Sequence, residues 1–242
     1  MSIDLPQLIH KNLVAQIIGG SVAFGWNDHL SDVEIGLFWD KIPAQRTRKT
    51  ILKKYFPQSA PIVMKDQNQE FGFSDHLMGN GKKIDIVHME WNNANKIIRG
   101  LLNAERIGSD ALILAANIRN GMILSSRSEY RNIKSELSNY PKKLSRALIK
   151  KYSPQAELHD FEKCIIRGEL PMAAAELFLY SQAVTQIECA KSGVYFAGQK
   201  WIFRQLHNIN RKKYAEVQNM WNRLASCQFT RPLKMNTRGS AH

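Results

Sequence analysis

Apolar residues recur at helical spacing through LPQLIHKNLVAQ, residues 5–16, and a short apolar run then ends in glycines at QIIGG. In DVEIGLFW, residues 32–39, acids alternate with apolar residues before the segment turns wholly apolar. These patterns predict a helix, a short buried strand, and an inner strand that leaves a site. PAQRTRKTILKKYF predicts a basic helix, with Pro43 suited to its first turn. EFGFSDHLM and KKIDIVHM flank GNGK, which predicts an antiparallel hairpin. NNANKIIRGLLN and DALILAANIRN read as helices, GMILSS as a short strand, and EYRNIKSEL as a further helix. From NYPKKLSRALIKKY onward only helical patterns occur, through MAAAELFLYSQAVTQIECAK and GQKWIFRQLHNI to YAEVQNMWNRLA. The fold class expected is α+β: a small mixed sheet flanked by helices over residues 1–139, then an all-α domain over residues 140–236. TRGSAH, residues 237–242, reads as an added tail and is left out of the fold. No internal repeat or low-complexity tract interrupts this order.

At 242 residues and 44% hydrophobic, the chain is long and apolar enough to bury a substantial core. No apolar run reaches the roughly 18 residues that span a bilayer, and MSIDLPQLIHKN lacks the basic-then-apolar order of a secretory signal. A membrane partner is not expected, and the default compartment is the cytoplasm. Cys164, Cys189 and Cys227 include no CxxC pair, so they are expected as buried thiols rather than as a disulfide framework or zinc knuckle.

The formal net charge is +13, and its distribution matters more than its size. Residues 1–40 hold one basic and five acidic side chains, whereas residues 41–60 hold six basic and none acidic. Residues 200–238 hold nine Lys and Arg against Glu216 alone. Such segments suit a polyanionic partner, either RNA or a nucleoside triphosphate, and also suit a plain solvated basic surface.

The acids of the N-terminal part carry the candidate chemistry. In a strand, Asp32 and Glu34 project to one side while Val33 and Ile35 point to the other. Gathering two carboxylates costs several kcal/mol unless a cation neutralises them, and a hard divalent ion such as Mg2+ is the usual solution. Asp85, inside the apolar run KKIDIVHM, supplies a third acid, or else simply pairs with Lys82 or Lys83. Three carboxylates from neighbouring strands can hold two magnesium ions. Upstream, Gly20 lets backbone N–H groups approach phosphate oxygens, and Ser21 adds a hydroxyl. Loop and acids together point to metal-assisted, in-line displacement at the α-phosphorus of a nucleotide, with pyrophosphate leaving.

At these residues the chain resembles the DNA polymerase β-type nucleotidyltransferase superfamily. Its signature is an apolar residue, Gly, then Gly or Ser, a spacer of about ten residues, and two acids one residue apart. Here Ile18-Gly19-Gly20-Ser21 precedes ten residues, 22–31, and the acids follow in Ser31-Asp32-Val33-Glu34. SDVE in place of SD-x-D resembles some antibiotic nucleotidyltransferases, including kanamycin and lincosamide enzymes. The resemblance implies a nucleotidyltransferase fold for the first domain. It also implies that Asp32, Glu34 and Asp85 bind metal and act in catalysis, Asp85 as the third acid that coordinates metal or activates the acceptor hydroxyl. Gly20 and Ser21 would bind nucleotide, as would Lys200 of YFAGQKW, since small-molecule members use a helical-domain lysine at the triphosphate.

The expected activity is transfer of NMP, with ATP as the donor, to a hydroxyl of a small molecule such as an antibiotic. Asp160, Glu162, Glu169 and Glu176 offer an acidic pocket for a cationic acceptor, and Glu176 is a candidate general base. Transfer to tRNA, another RNA or a protein, as in antitoxins that adenylylate a toxin, is the alternative. An inactive nucleotide-binding module is a third. His29 and His88 are expected as bystanders near the acids, Trp201 as core, and a homodimer only by analogy.

Overall fold

The computed structural model describes residues 5–63, 72–79 and 81–229. The expected tail at 237–242, the basic residues Arg231, Lys234 and Arg238, and the Cys227 side chain lie outside the described residues. The chain divides into two compact units. The first runs to Ala147 and takes back Gly193–Gly198, and the second comprises Leu148–Ser192 and the chain from Gln199 on.

In the first unit the chain forms β1 (Leu13–Ile18), the single turn α1 (Gly20–Ala23), β2 (Val33–Trp39), α2 (Gln45–Tyr55), β3 (Phe73–Gly79) and β4 (Lys82–Glu90). It continues through α3 (Trp91–Leu102), α4 (Ser109–Asn120), β5 (Met122–Ser126) and α5 (Ser128–Glu136). The strands make one mixed sheet in the order β3-β4-β2-β1-β5, in which β2 and β4 pair in parallel and the other neighbours are antiparallel.

The helix expected over residues 5–16 does not form. Its second half is β1, buried at every position between β2 and β5. A strand in that position reads as a continuous apolar run, which helical spacing can mimic. Gln16 settles the conformation of the first half. Its buried amide accepts from Leu8 N at 2.8 Å and donates to Pro6 O at 3.0 Å, so these backbone groups bond to a side chain instead of a helical ladder.

The two faces of the sheet differ. On one, Val33, Ile35, Leu37, Ile84 and Ile86 alternate inward and pack with Leu13, Leu52 of α2 and Leu77 into a core cluster. On the other, Phe38 meets Trp91 of α3 and Tyr130 of α5, with ring centroids 6.0 and 5.3 Å away. The acids occupy this second face, where the apolar packing stops.

Past α5, α6 (Lys142–Tyr152) carries the chain from one unit to the next. The second unit is helical: α7 (Phe161–Arg167), α8 (Leu170–Lys191), α9 (Ile202–Ile209) and α10 (Arg211–Phe229). Leu177 of α8 packs on Phe161, Cys164 and Leu224, and Val184 packs on Leu206 and Val217. Trp221 Nε1 donates to the buried Ser181 hydroxyl at 3.1 Å, tying α10 to α8. Cys164 and Cys189 are buried free thiols, and burial pushes the Cys189 thiol up. Among the described residues no helix is long and apolar enough to cross a membrane.

Candidate active site

Strand register assembles the site. Parallel pairing sets Glu34 beside Asp85, and antiparallel pairing sets His76 beside Asp85 and Met78 beside Lys83. Residues paired in a ladder share a face, so His76, Asp85 and Glu34 form a row across β3, β4 and β2. Lys83 lies two residues from Asp85 on the same face, and Asp32 lies two residues from Glu34. At the far end of the row, Gly19 N donates to Glu34 O at 2.8 Å, which brings the glycine turn to the acids.

Lys83 is the hub of the charged cluster. Its ammonium lies 2.8 Å from Asp85 Oδ2 and 3.6 Å from Asp32 Oδ2. His76 Nδ1 lies 2.5 Å from the other Asp85 oxygen. Burial against the sheet pushes Asp85 up, but the hydrogen bonds from Lys83 and His76 outweigh it and hold the carboxyl below its usual range. The hydrogen bond to Asp85 in turn raises Lys83 above an ordinary lysine.

A depressed carboxyl stabilises the fold above its unfolded pKa, and that contribution is lost as pH falls through the folded value. Acid unfolding of the wild type should therefore steepen below the ordinary 3.8 of this group, and Asp85→Asn should flatten that limb. Equal slopes in thermal melts from pH 5 to pH 2 would contradict the ionised cluster.

Glu34 is fixed differently. Gly20 has φ +57°, and a Cβ there would collide with the Glu34 carboxylate. The carboxylate thus lies directly over the Gly20 backbone, a position that only glycine permits. Gly20 N donates to Asn117 Oδ1 at 2.9 Å, while Asn117 Nδ2 donates back into α4 at Ile113 O, 3.0 Å away. Asn117 therefore clamps the glycine turn onto α4. Ser21 follows in α1 and is buried. Gly20→Ala should cost about 1–2 kcal/mol from the left-handed backbone alone and should displace Glu34. A urea midpoint equal to wild type would refute this close approach.

Metal binding was expected at Asp32, Glu34 and Asp85. Among the described residues, no group of three or more His, Cys, Asp and Glu side chains is arranged to hold a metal ion. Two of the three carboxylates nevertheless converge on one cation, the Lys83 ammonium, from neighbouring strands. The paired oxygen donors are of the kind a hard divalent cation takes. Asp32 and Asp85 fit such an ion in kind, with Glu34 next to them in the same row.

Beside Glu34 and Gly19, on the same face, a cavity of about 410 Å³ opens between the sheet and α4. Ile17, Gly36, Val87, Met89, Ile113 and Leu114 make it largely apolar, and Glu34, Asp110 and Asn117 supply polar groups. His88 lies on the opposite face, 3.0 Å from Asp75, and His29 is exposed in the loop before β2.

The remaining candidates belong to the second unit. Lys200 is exposed in the tight turn Gln199–Trp201, its ammonium 5.3 Å from the Trp201 ring centroid, and Arg204 faces the same ring at 5.6 Å. Trp201 is only half-buried, so it is a cation platform more than core. Asp160 and Glu162 are engaged by Lys163 and Arg223. Glu176 keeps one buried oxygen without a hydrogen-bond partner.

Two residues of the first-unit site, His76 and Asn117, escaped the sequence reading, whereas the Lys83–Asp85 pair is one of the two readings of Asp85 that the sequence offers. His76 was legible, because the hairpin that GNGK announces pairs Gly79 with Lys82 and thereby His76 with Asp85. Asn117 gave one signal, an amide in the otherwise apolar stretch ALILAANI.

No protein-family model matches the chain, and no curated protein does. A solved nucleotidyltransferase-like protein from Exiguobacterium sibiricum 255-15 is similar at 13% identity and a TM-score of 0.40, over 91% of this chain and 69% of that one. A spectinomycin adenyltransferase, AAD(9), from Enterococcus faecialis, solved with ATP and spectinomycin, is similar at 13% identity and a TM-score of 0.32, over 88% of this chain and 92% of that one. Both likenesses are remote in sequence and in backbone.

Proposed function

We propose that the chain is an enzyme that transfers a nucleoside monophosphate, AMP from ATP, to a hydroxyl of a small molecule. One observation carries this reading: Asp85 and Glu34 stand side by side in the sheet, and the Gly19-Gly20 turn closes on the same row. That arrangement combines anionic side chains for cations with a glycine turn that a phosphate can approach closely.

The acceptor oxygen forms a bond to the α-phosphorus as the bond from that phosphorus to the bridging oxygen breaks, and pyrophosphate departs. The acceptor proton passes to a carboxylate, a role we assign to Asp85, which His76 orients. Asp32, Glu34 and Asp85 are the proposed magnesium ligands, and the ion when bound supplies neutralisation of charge at the phosphate oxygens. Lys200 is assigned to the triphosphate by resemblance alone.

The cavity beside Glu34 supports a small acceptor, since about 410 Å³ admits a drug-sized group but not a folded macromolecule. The net charge of +13 favours the second reading, RNA as acceptor. Incubation with each labelled NTP, magnesium and a panel of aminoglycosides, lincosamides, nucleosides and RNA, read by mass, decides between them. A nucleotidylated small molecule supports the proposal, labelled RNA supports the alternative, and a chain that binds NTP without any product is an inactive module.

A further inference from the structure

Lys83 occupies the position at which the two aspartates of the site meet. It projects from the same face of β4 as Asp85, bonds to that carboxylate at 2.8 Å, and reaches Asp32 of the neighbouring strand at 3.6 Å. A surface lysine satisfied by solvent has no need of two carboxylates from different strands. Nor does a hairpin need such a contact for its register, which Leu77 and Ile84 already set from the buried face.

We propose that Lys83 is a tethered counter-cation of the metal site: it holds Asp32 and Asp85 together before a divalent ion arrives and leaves them when one binds. The inference rests on the nucleotidyl-transfer reading, in which those aspartates are metal ligands. Without a cation, the two carboxylates would repel each other and part, so the ammonium keeps the site assembled. A divalent ion carries twice the charge and takes several oxygens at once, so it can displace the ammonium. The exchange has a cost, because each ion bound releases an existing pair. The affinity for free metal is therefore lower than the carboxylates alone would give.

Release is mechanically easy. The Lys83 side chain is 46% exposed and sits on a flexible stem of four carbons, so it can swing clear without disturbing the sheet. Triphosphate oxygens are the natural anion for it to meet next. Metal entry is then favoured when nucleotide is present and resisted when it is not, a coupling that works in both directions.

The test is Mn2+ binding to the full chain without nucleotide, followed by electron paramagnetic resonance, with thermal melts to confirm folding. Lys83→Met should bind Mn2+ about tenfold tighter than wild type, Lys83→Arg should stay near wild type, and Asp85→Asn should lose at least tenfold. A purely structural lysine would instead lower the melting temperature and leave the affinity unchanged. If Lys83→Met binds Mn2+ no tighter than wild type while Asp85→Asn loses it, this inference is overturned and the metal assignment stands. If Asp85→Asn binds as well as wild type, or no form of the protein binds Mn2+, the metal assignment and the inference fall together.

Discussion

Asp85→Asn and Asp32→Asn are each expected to reduce nucleotidyl transfer by about a thousandfold or more, equivalent to ~4 kcal/mol of transition-state stabilisation. The substitution keeps the shape of the side chain and removes the charge on which the proposed cation binding depends. Asp85 should be the more severe of the two, since it is also the proposed proton acceptor. It is held from both sides, by Lys83 and by His76. Asp32 is 46% exposed and Asp85 20%, so neither change should unfold the protein. The loss belongs in kcat rather than in melting temperature. Turnover within threefold of wild type in either variant would remove that aspartate from the chemistry.

The second large effect lies on the opposite face of the sheet and concerns stability. Arg48 of α2 is 1% exposed and Asp75 of β3 is fully buried, and Arg48 Nε donates to Asp75 Oδ2 at 3.0 Å. His88 of β4 reaches the same oxygen through Nε2 at 3.0 Å. Trp39 Nε1 donates to His88 Nδ1 at 3.1 Å, so the indole steadies the imidazole that faces Asp75. Arg48 Nη1 donates further to Pro43 O at 2.9 Å. α2 and β4 thus meet on one carboxylate of β3, with Trp39 of β2 behind His88. Asp75→Ala removes the counter-charge that a buried guanidinium faces and should cost about 3–5 kcal/mol in urea unfolding, a large part of an ordinary domain's stability. A loss below about 1 kcal/mol would mean that the guanidinium reaches water at little cost.

These two clusters show how far the sequence could be read. The spacing from Gly19 to Asp32, with Val33 and Ile35 between and beside the acids, set out both the strand and its two faces. The structure keeps that alternation. The hairpin was legible from GNGK, and with it the approach of His76 to Asp85, had the register been carried through. Two things were not legible. The run LPQLIHKNLVAQ fits a helix and a buried strand equally well by hydrophobicity. What separates them is the Gln16 amide bonding back to Pro6 and Leu8, a contact made only after folding. Likewise, Arg48 looked like one more cation of a basic helix. Nothing nearby in sequence announces Asp75, 27 residues away, as the partner that buries it. Asn117 clamps Gly20 across 97 residues and belongs to the same class.

The most direct test follows the phosphorus atoms of ATP. With magnesium and an accepted small molecule, label on the α-phosphate should appear in the modified acceptor, and label on the γ-phosphate should leave in pyrophosphate. Transfer of the γ-label to the acceptor would contradict the account, because it would make the chain a kinase in which attack never reaches the phosphorus that the glycine turn and the carboxylate row are proposed to hold.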